Sequence, residues 1–400
     1  MAERHEVVFV DGVRTPFGRA GEKGMYWNTR ADDLIVKAIV GLLERNPDLP
    51  QDRIDEVAIA ATTQQGDQGL TLGRTAALLA GLPKSVPGFA IDRMCAGAMT
   101  SVTTLAGGIA FGAYDLTLAG GVEHMGRHPM GFGADPNPRF LSEKLVSGEA
   151  LNMGSTAERI HDRFPELTKE RSDRYALASQ QKAAAAYENG KLQPDLIPVS
   201  IRSESGWGLA TRDEALRPET TLEGLAGLKT PFRPHGRVTA GNASGLNDGA
   251  TISLLASEAA AKELGLTAKM KLVSFAFAGV EPEIMGIGPV PSTEKALKKA
   301  GLSITDIGLF ELNEAFAVQV LSLLDHFGIA DDDPRVNQWG GAIAMGHPLA
   351  SSGVRLMIQL AAQFKERPDV RYGLTAMCVG LGQGGSVIWE NPYFDGKKKK

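Results

Sequence analysis

The sequence predicts an α/β fold on three observations. Strand and helix patterns alternate from the N-terminus, the alternation breaks in the middle, and it resumes in the same order near the C-terminus. Glu6 to Val13 (EVVFVDGV) reads as the first strand, Ala31 to Leu43 as an amphipathic helix, and Asp55 to Ala61 (DEVAIAA) as the second strand. Leu70 to Leu79 is the next helix, Val86 to Ile91 the third strand and Asp115 to Gly120 (DLTLAG) the fourth. Before that fourth strand, Met99, Val102, Leu105 and Ile109 recur at helical spacing, which places a helix over Ala96 to Gly112. Alternation of this kind implies a mostly parallel sheet.

In the C-terminal third, Lys271 to Gly279 is a strand, Ser292 to Ala300 (STEKALKKA) a helix and Ile307 to Leu312 (IGLFEL) a strand. A helix from Asn313, a strand near Val336, a helix after His347 and a strand at Tyr372 to Cys378 (YGLTAMC) complete the set. The chain therefore reads as two α/β halves of one topology, residues 1–122 and 271–400. Residues 123–247 are rich in Pro, Gly and charge (GRHPMGFGADPNPRF), carry a long polar helix at Lys169 to Asn189, and read as an inserted, substrate-covering subdomain. Residues 248–270 return to the first half, with Gly249 to Ala256 as its last strand.

The bulk properties bound the function. A chain of 400 residues makes roughly two to three domain-sized units. Its 43% apolar and 22% charged residues are ordinary for a soluble globular protein. A net charge of −5 gives no reason to expect nucleic acid as a partner, and the Lys397 to Lys400 run reads as a solvated tail without function. The start, MAERHEVVF, does not read as a signal peptide. The most membrane-like stretch, Leu105 to Val122, is interrupted by Asp115 and reads as a helix followed by a buried strand, so no membrane span is expected. Two cysteines make no disulfide framework, which favours a reducing compartment, with the cytoplasm as default.

Few residues carry chemistry by type and place. Cys95, in IDRMCAGAM, sits between an apolar strand and a helix start, where the helix N-terminus would lower a thiol pKa. Most unpaired cysteines are, however, inert small hydrophobes. His347, in GGAIAMGHPLASSG, lies in a tight turn ahead of a helix, and histidine is the usual base for a cysteine nucleophile. In the overlay of the halves, Cys95 and His347 occupy the same strand-to-helix junction, outside the carboxyl ends of strands, where α/β folds place active sites. Cys378 opens CVGLGQGG: a second thiol there suits acid/base work, and the glycines would expose N–H groups to an oxyanion, although such runs are often only turns. Asn313, in ELNEAF, reads either as a helix N-cap or as a group holding a water or a histidine in an oxyanion hole. No CxxC is present, so zinc is a weak reading.

The set DRMCAGAM, VTAGNASGLNDGA, ELNEAF, GGAIAMGHP and CVGLGQG, in this order, resembles the thiolase family. The resemblance spans essentially the whole chain, from VDGVRTPFGR onward, and NTRADD, GGVEHMG, RPETTLEGL and GPVPSTEKALKKAGL are closest to bacterial 3-ketoacyl-CoA thiolases of the fatty-acid oxidation complex type. It implies a layered α-β-α-β-α architecture and reversible thiolytic cleavage of 3-ketoacyl-CoA. In that scheme Cys95 takes the acyl group, His347 activates it and lines the first oxyanion hole with an Asn313-held water, and Cys378 is the acid/base. The N–H groups of Cys95 and Gly380 would form the second hole. Ser244 would contact the pantetheine arm, Arg217 the adenine end of CoA, and Phe316 and Met153 the pantetheine and acyl region. CoA is implied as co-substrate, with no permanent cofactor and no metal. A homodimer or homotetramer is implied, and a hydratase/dehydrogenase subunit as a further partner.

Asp92 stands where many relatives have Asn, Ala96-Gly97-Ala98 follows the nucleophile where Gly or Ser is common, Ala350 replaces a Gly, and Asn152 replaces a His found in some short-chain members. These departures bear on chain length. The alternatives are a biosynthetic acetoacetyl-CoA thiolase, a ketoacyl synthase, which the second thiol argues against, and a non-catalytic CoA- or lipid-binding relative, which the complete set of Cys95, Asn313, His347 and Cys378 argues against.

Overall fold

The computed structural model describes residues 4–131, 133–203 and 206–396; the Lys397 to Lys400 run lies outside them. The first half comprises β1 (Val7–Arg14), β2 (Gly18–Arg19), α1 (Ala31–Arg45), β3 (Glu56–Ala60), α2 (Leu72–Leu79), β4 (Gly88–Ile91), α3 (Gly97–Phe111) and β5 (Leu116–His124). There follow α4 (Arg139–Ser142), α5 (Met153–Arg163), α6 (Lys169–Glu188), the hairpin β6 (Val199–Ser203) and β7 (Gly206–Ala210), and α7 (Leu222–Ala226). The chain then returns through β8 (Asn247–Ser257) and α8 (Glu258–Glu263). The second half holds β9 (Met270–Gly279), α9 (Pro289–Ala300), β10 (Ile307–Leu312), α10 (Ala317–His326), α11 (Ala342–Met345), α12 (Ser352–Glu366), β11 (Tyr372–Val379) and β12 (Gln383–Glu390).

The duplication is visible in the strand order. The first half runs β4-β3-β5-β8-β1 and the second β10-β11-β12-β9, with a parallel bridge from Phe310 to Val336 taking the place that β4 holds in the first. Both halves thus follow the order third, second, fourth, fifth, first. The pairs Val8 with Lys271 and Phe9 with Met270 join them into one sheet.

Period-two alternation assigns each strand face to a layer. Val57 and Ile59 of β3 face Leu34, Ile39 and Leu42 of α1, while Ala58 between them faces Met99 and Val102 of α3. In β12, Ile388 faces the α9 and α10 side, while Val387 and Trp389 face the α12 side. Helices α3 and α12 therefore lie between the two sheet halves, and the layers are α-β-α-β-α. The stretch Met94–Phe111 is long and apolar enough to cross a membrane, but most of it is buried inside the molecule. Each large apolar side chain in that middle layer contributes about 1.5–3 kcal/mol of burial.

Three expectations are corrected. The sheet is mixed rather than mostly parallel: β3 runs parallel to β4 and β5 and β10 to β11, but β8 and β12 are antiparallel to both of their long neighbours. β12 follows β11 through a three-residue turn, too short for the crossover a parallel pair requires. The helix expected from Asn313 begins at Ala317, because residues 313–316 run on past β10 without helical hydrogen bonds. The strand near Val336 is only the isolated bridge to Phe310.

Candidate active site

The nucleophile turn follows β4. Asp92 Oδ1 accepts the N–H of Met94 at 2.6 Å, and Met94 takes a left-handed φ of 44°, so the chain bends sharply into the single turn Met94–Ala96 before α3. Gly97 is required there, because a Cβ would lie 2.7 Å from Ala60 Cβ and 3.0 Å from Ala350 Cβ. Ala350 thus sits against the nucleophile turn. Cys95 is buried and its thiol is pushed up to about 12 by burial; the Gly380 N–H opposes this and the Glu123 carboxylate adds to it. This overturns the expectation of a lowered thiol pKa, since desolvation outweighs the helix-start amides.

His347 lies in the equivalent turn of the second half. Its N–H donates to Asn247 Oδ1 at 2.9 Å, and Leu246 bridges it in parallel. Imidazole Nδ1 lies 2.6 Å from Ser352 Oγ, which also lies 3.2 Å from the Pro348 carbonyl. With its single proton on that carbonyl, Ser352 accepts from Nδ1–H, which leaves Nε2 as the free base. Burial, then the charge of Arg355, lowers the imidazole pKa to about 3, so it rests neutral. Asn313 Nδ2 stands 3.3 Å from Nε2, and its Oδ1 accepts from Arg355 Nη2 at 3.2 Å. Asn313 is set by its own N–H, which bonds the Ala376 carbonyl of β11; it caps no helix.

Cys378 is buried near the end of β11, and burial followed by the neighbouring Cys95 pushes its thiol up. The two thiols are therefore close enough to sense each other's charge. Beyond Cys378 the chain turns through Leu381 (φ 60°) and Gly382 (φ 75°), which points the Gly380 N–H at Cys95. A Cβ on Gly380 would lie 2.6 Å from Met94 Sδ and 3.7 Å from Met153 Sδ, so both thioethers border this amide. Met153 opens α5, whose N-terminus is capped by Asn152 Oδ1 accepting from Ser155 N–H at 3.1 Å.

Cys95, Cys378 and Gly380 thus cluster with Met153 beside them, and the Asn313–His347 pair adjoins them where the Asn313 N–H meets Ala376 of β11 and the two turns touch at Gly97 and Ala350. Ser244 and Phe316 border the Asn313 loop: Ser244 N–H donates to the Ala315 carbonyl at 3.0 Å, and Ala243 bridges Phe316. Arg217 is not drawn in. Its exposed guanidinium folds back onto the carbonyls of Glu214 and Leu216, both at 2.9 Å.

Sequence reasoning missed several supports. Glu123 accepts from the N–H groups of Thr62 and Ala350, each at 3.1 Å, and from Gln68 Nε2 at 3.0 Å, which ties the His347 loop to β5. Asn247, Ser352 and Arg355 orient His347 and Asn313. Of these only Arg355 left a signal, a charge inside the apolar helix SSGVRLMIQLAAQ. Among the described residues, no group of three His, Cys, Asp or Glu side chains is placed to hold a metal ion.

Comparison with known proteins matches residues 7–259 to the family model described as "Thiolase, N-terminal domain" and residues 266–391 to "Thiolase, C-terminal domain". The chain is 44% identical over 389 residues to a 3-ketoacyl-CoA thiolase of Aliivibrio fischeri, covering 96% of this chain and 99% of that one. It is 43% identical over 401 residues to the 3-oxoadipyl-CoA/3-oxo-5,6-dehydrosuberyl-CoA thiolase of Escherichia coli, with the same coverage. Among solved structures it resembles human mitochondrial 3-ketoacyl-CoA thiolase with a TM-score of 0.88 at 34% identity, covering 98% of this chain and 100% of that one. The acetyl-CoA acetyltransferase of Bacillus anthracis matches with a TM-score of 0.87 at 35% identity and the same coverage.

Proposed function

The chain belongs to the thiolase family, and on that premise we propose how its residues divide the work of an acetyl-CoA C-acyltransferase. The protein is an acyltransferase that cleaves 3-ketoacyl-CoA with CoA to give acetyl-CoA and a shortened acyl-CoA, and acyl-CoA thioesters and CoA are its substrates. What supports the division of roles is a pair of buried thiols under a glycine N–H, next to the turn that carries a neutral imidazole and a fixed amide.

Cys95 Sγ attacks C3 of the 3-ketoacyl group while His347 Nε2 takes the thiol proton. The resting pair is a thiol and a neutral imidazole, so the thiolate develops only as the carbonyl oxygen draws charge. That oxygen, on the carbon that bonds Sγ, is met by the N–H groups of Cys95 and Gly380, which already face the thiol. As the tetrahedral intermediate collapses, the C2–C3 bond breaks, its electron pair passes to the acetyl-CoA enolate, and the shortened acyl group stays on Cys95. Cys378 protonates the enolate at C2. The protonated His347 and Asn313 Nδ2, directly or through a held water, hold the enolate oxygen, each such donor contributing about 3–4 kcal/mol. The sulfur of incoming CoA then attacks acyl-Cys95, its proton passing to the enzyme, and releases the acyl-CoA. Run backwards, the sequence is a Claisen condensation.

Met153 and Phe316 would border the acyl and pantetheine region and Ser244 the pantetheine arm. Arg217 would reach the adenine end only by releasing its two carbonyls. Residues 123–247 act in this reading as a substrate-covering insertion between 1–122 and 248–270, with 271–400 as the second half. The physiological setting we propose is degradative β-oxidation in the cytoplasm, by a homodimer or homotetramer that docks a hydratase/dehydrogenase subunit. Thiolysis measured across a series of 3-ketoacyl-CoA chain lengths, with 3-oxoadipyl-CoA included, tests this. Turnover extending past four carbons is expected, and activity on acetoacetyl-CoA alone would favour the biosynthetic type.

A further inference from the structure

Strand β10 and helix α12 meet through a stripe of buried polar side chains, of which the reaction itself uses only Asn313. Glu311 lies in β10 and Asn313 one residue past its end, two apart and so on one face, while Arg355, Gln359 and Gln363 recur every fourth residue on α12. Arg355 Nη1 donates to Gln359 Oε1 at 2.6 Å and Nη2 to Asn313 Oδ1 at 3.2 Å, while Gln363 Nε2 donates to Glu311 Oε1 at 2.7 Å. Arg355 Nη1 and Glu311 Oε2 form an ion pair at 3.6 Å, with both side chains at 0% exposure.

A buried pair of this kind seldom adds stability over well-packed apolar residues. This one lies in the middle layer, where the facing side chains of α3 are uncharged. Its effect falls on Asn313. A guanidinium carries donors only, so the Asn313 atom that meets it must be the carbonyl oxygen, and the amide nitrogen is forced to the His347 side. An apolar side chain at 355 would let the amide turn over and present an acceptor where a negative oxygen has to be held.

We propose that Arg355 is a positioning residue that fixes the orientation of the Asn313 amide, and that Glu311 anchors Arg355 in turn. This rests on the reading of Asn313 as an oxyanion donor. The paired replacement Arg355→Met with Glu311→Gln removes both charges and leaves neither unpaired. Measured by thiolysis kinetics and thermal melting, it is expected to lower kcat about 10- to 100-fold with KM within about twofold. In an Asn313→Ala background the same replacement should change kcat less than about twofold, because the group it acts through is gone. Equal losses in both backgrounds, or no loss in the first, would overturn the proposal while leaving the role of Asn313 standing. Unchanged kcat in Asn313→Ala alone would instead overturn the reading of Asn313, and the proposal with it. Arg355→Lys keeps the charge beside Glu311 but not the planar fork, and should lose at least about threefold in kcat; wild-type turnover there contradicts the proposal as well.

Discussion

Helices α3 and α12 follow the third strand position of their respective halves, each behind a turn that delivers a reacting side chain, Cys95 in one and His347 in the other. The buried polar groups of α3 are hydroxyls that bond backbone carbonyls: Thr100 donates to Ala96 at 2.9 Å, Thr103 to Met99 at 3.0 Å and Ser101 to Gly120 of β5 at 3.0 Å. Helix α12 instead buries Arg355, Gln359 and Gln363 against Glu311 and Asn313 of its own half. One copy of the duplicated unit therefore sets a thiol ahead of a helix without charged side chains, and the other sets a histidine and an amide beside a buried guanidinium. Duplication supplied two equivalent turns, and the side chains behind them decide which holds the nucleophile and which moves its proton.

The strongest way to break this comparison is at the nucleophile. Cys95→Ala is expected to lower thiolysis of acetoacetyl-CoA by more than about 10⁴-fold. Because the substitution removes a single buried atom, the melting temperature should stay within about 4 °C of wild type. Retained turnover would remove Cys95 from the mechanism.

Gly380→Ala probes the amide that crosses from the second half to the first. Its Cβ would lie 2.6 Å from Met94 Sδ and must displace that thioether or the turn. A loss of about 100-fold in kcat is expected, together with about 1–3 kcal/mol in urea unfolding. Met94→Ala in the same chain should restore most of the stability.

The pH dependence of unfolding reads the two halves separately. The His347 pKa falls from 6.5 to about 3 on folding, so between those values the unfolded chain binds a proton that the folded one refuses. Stability therefore falls as the pH drops through this window, by up to about 1.4 kcal/mol per unit. The Cys95 pKa rises from 9.0 to about 12, so the unfolded thiol ionises first and stability falls as the pH climbs from 9.0 towards 12. His347→Gln should weaken the acid limb, Cys95→Ala part of the alkaline one and Cys95→Ala with Cys378→Ala more of it, with urea unfolding at a series of pH values as the measurement. Unchanged limbs would mean that other groups control them.

Much of this site is legible in the sequence because turns announce themselves. The Gly and Pro residues around His347, the glycines after Cys378 and the strand-to-helix junction at Cys95 all mark bends, and those bends are where the reacting groups stand. Direction is not legible in the same way. An apolar run such as Leu116 to Val122 buries equally well beside a parallel or an antiparallel neighbour, so the mixed sheet emerged only with the pairing. β12 hid behind the glycines that open it, and Asn313 looked like a cap because the three residues after it resemble a first turn. The thiol pKa went the wrong way because a helix start is visible in sequence and the depth of burial is not. Arg355, Gln359 and Gln363 show their periodicity, but the face opposite, Glu311 and Asn313, is supplied by a distant strand.

The central claim is that one thiol carries the acyl group and the other only moves a proton. Cys378→Ala protein incubated with a short-chain acyl-CoA, digested and mapped by mass spectrometry, tests it most directly. The account predicts an acyl mass on the peptide containing Cys95, in an enzyme whose thiolysis has fallen by about 10³-fold. An unmodified Cys95 peptide, or an acyl group on any other residue, would contradict it.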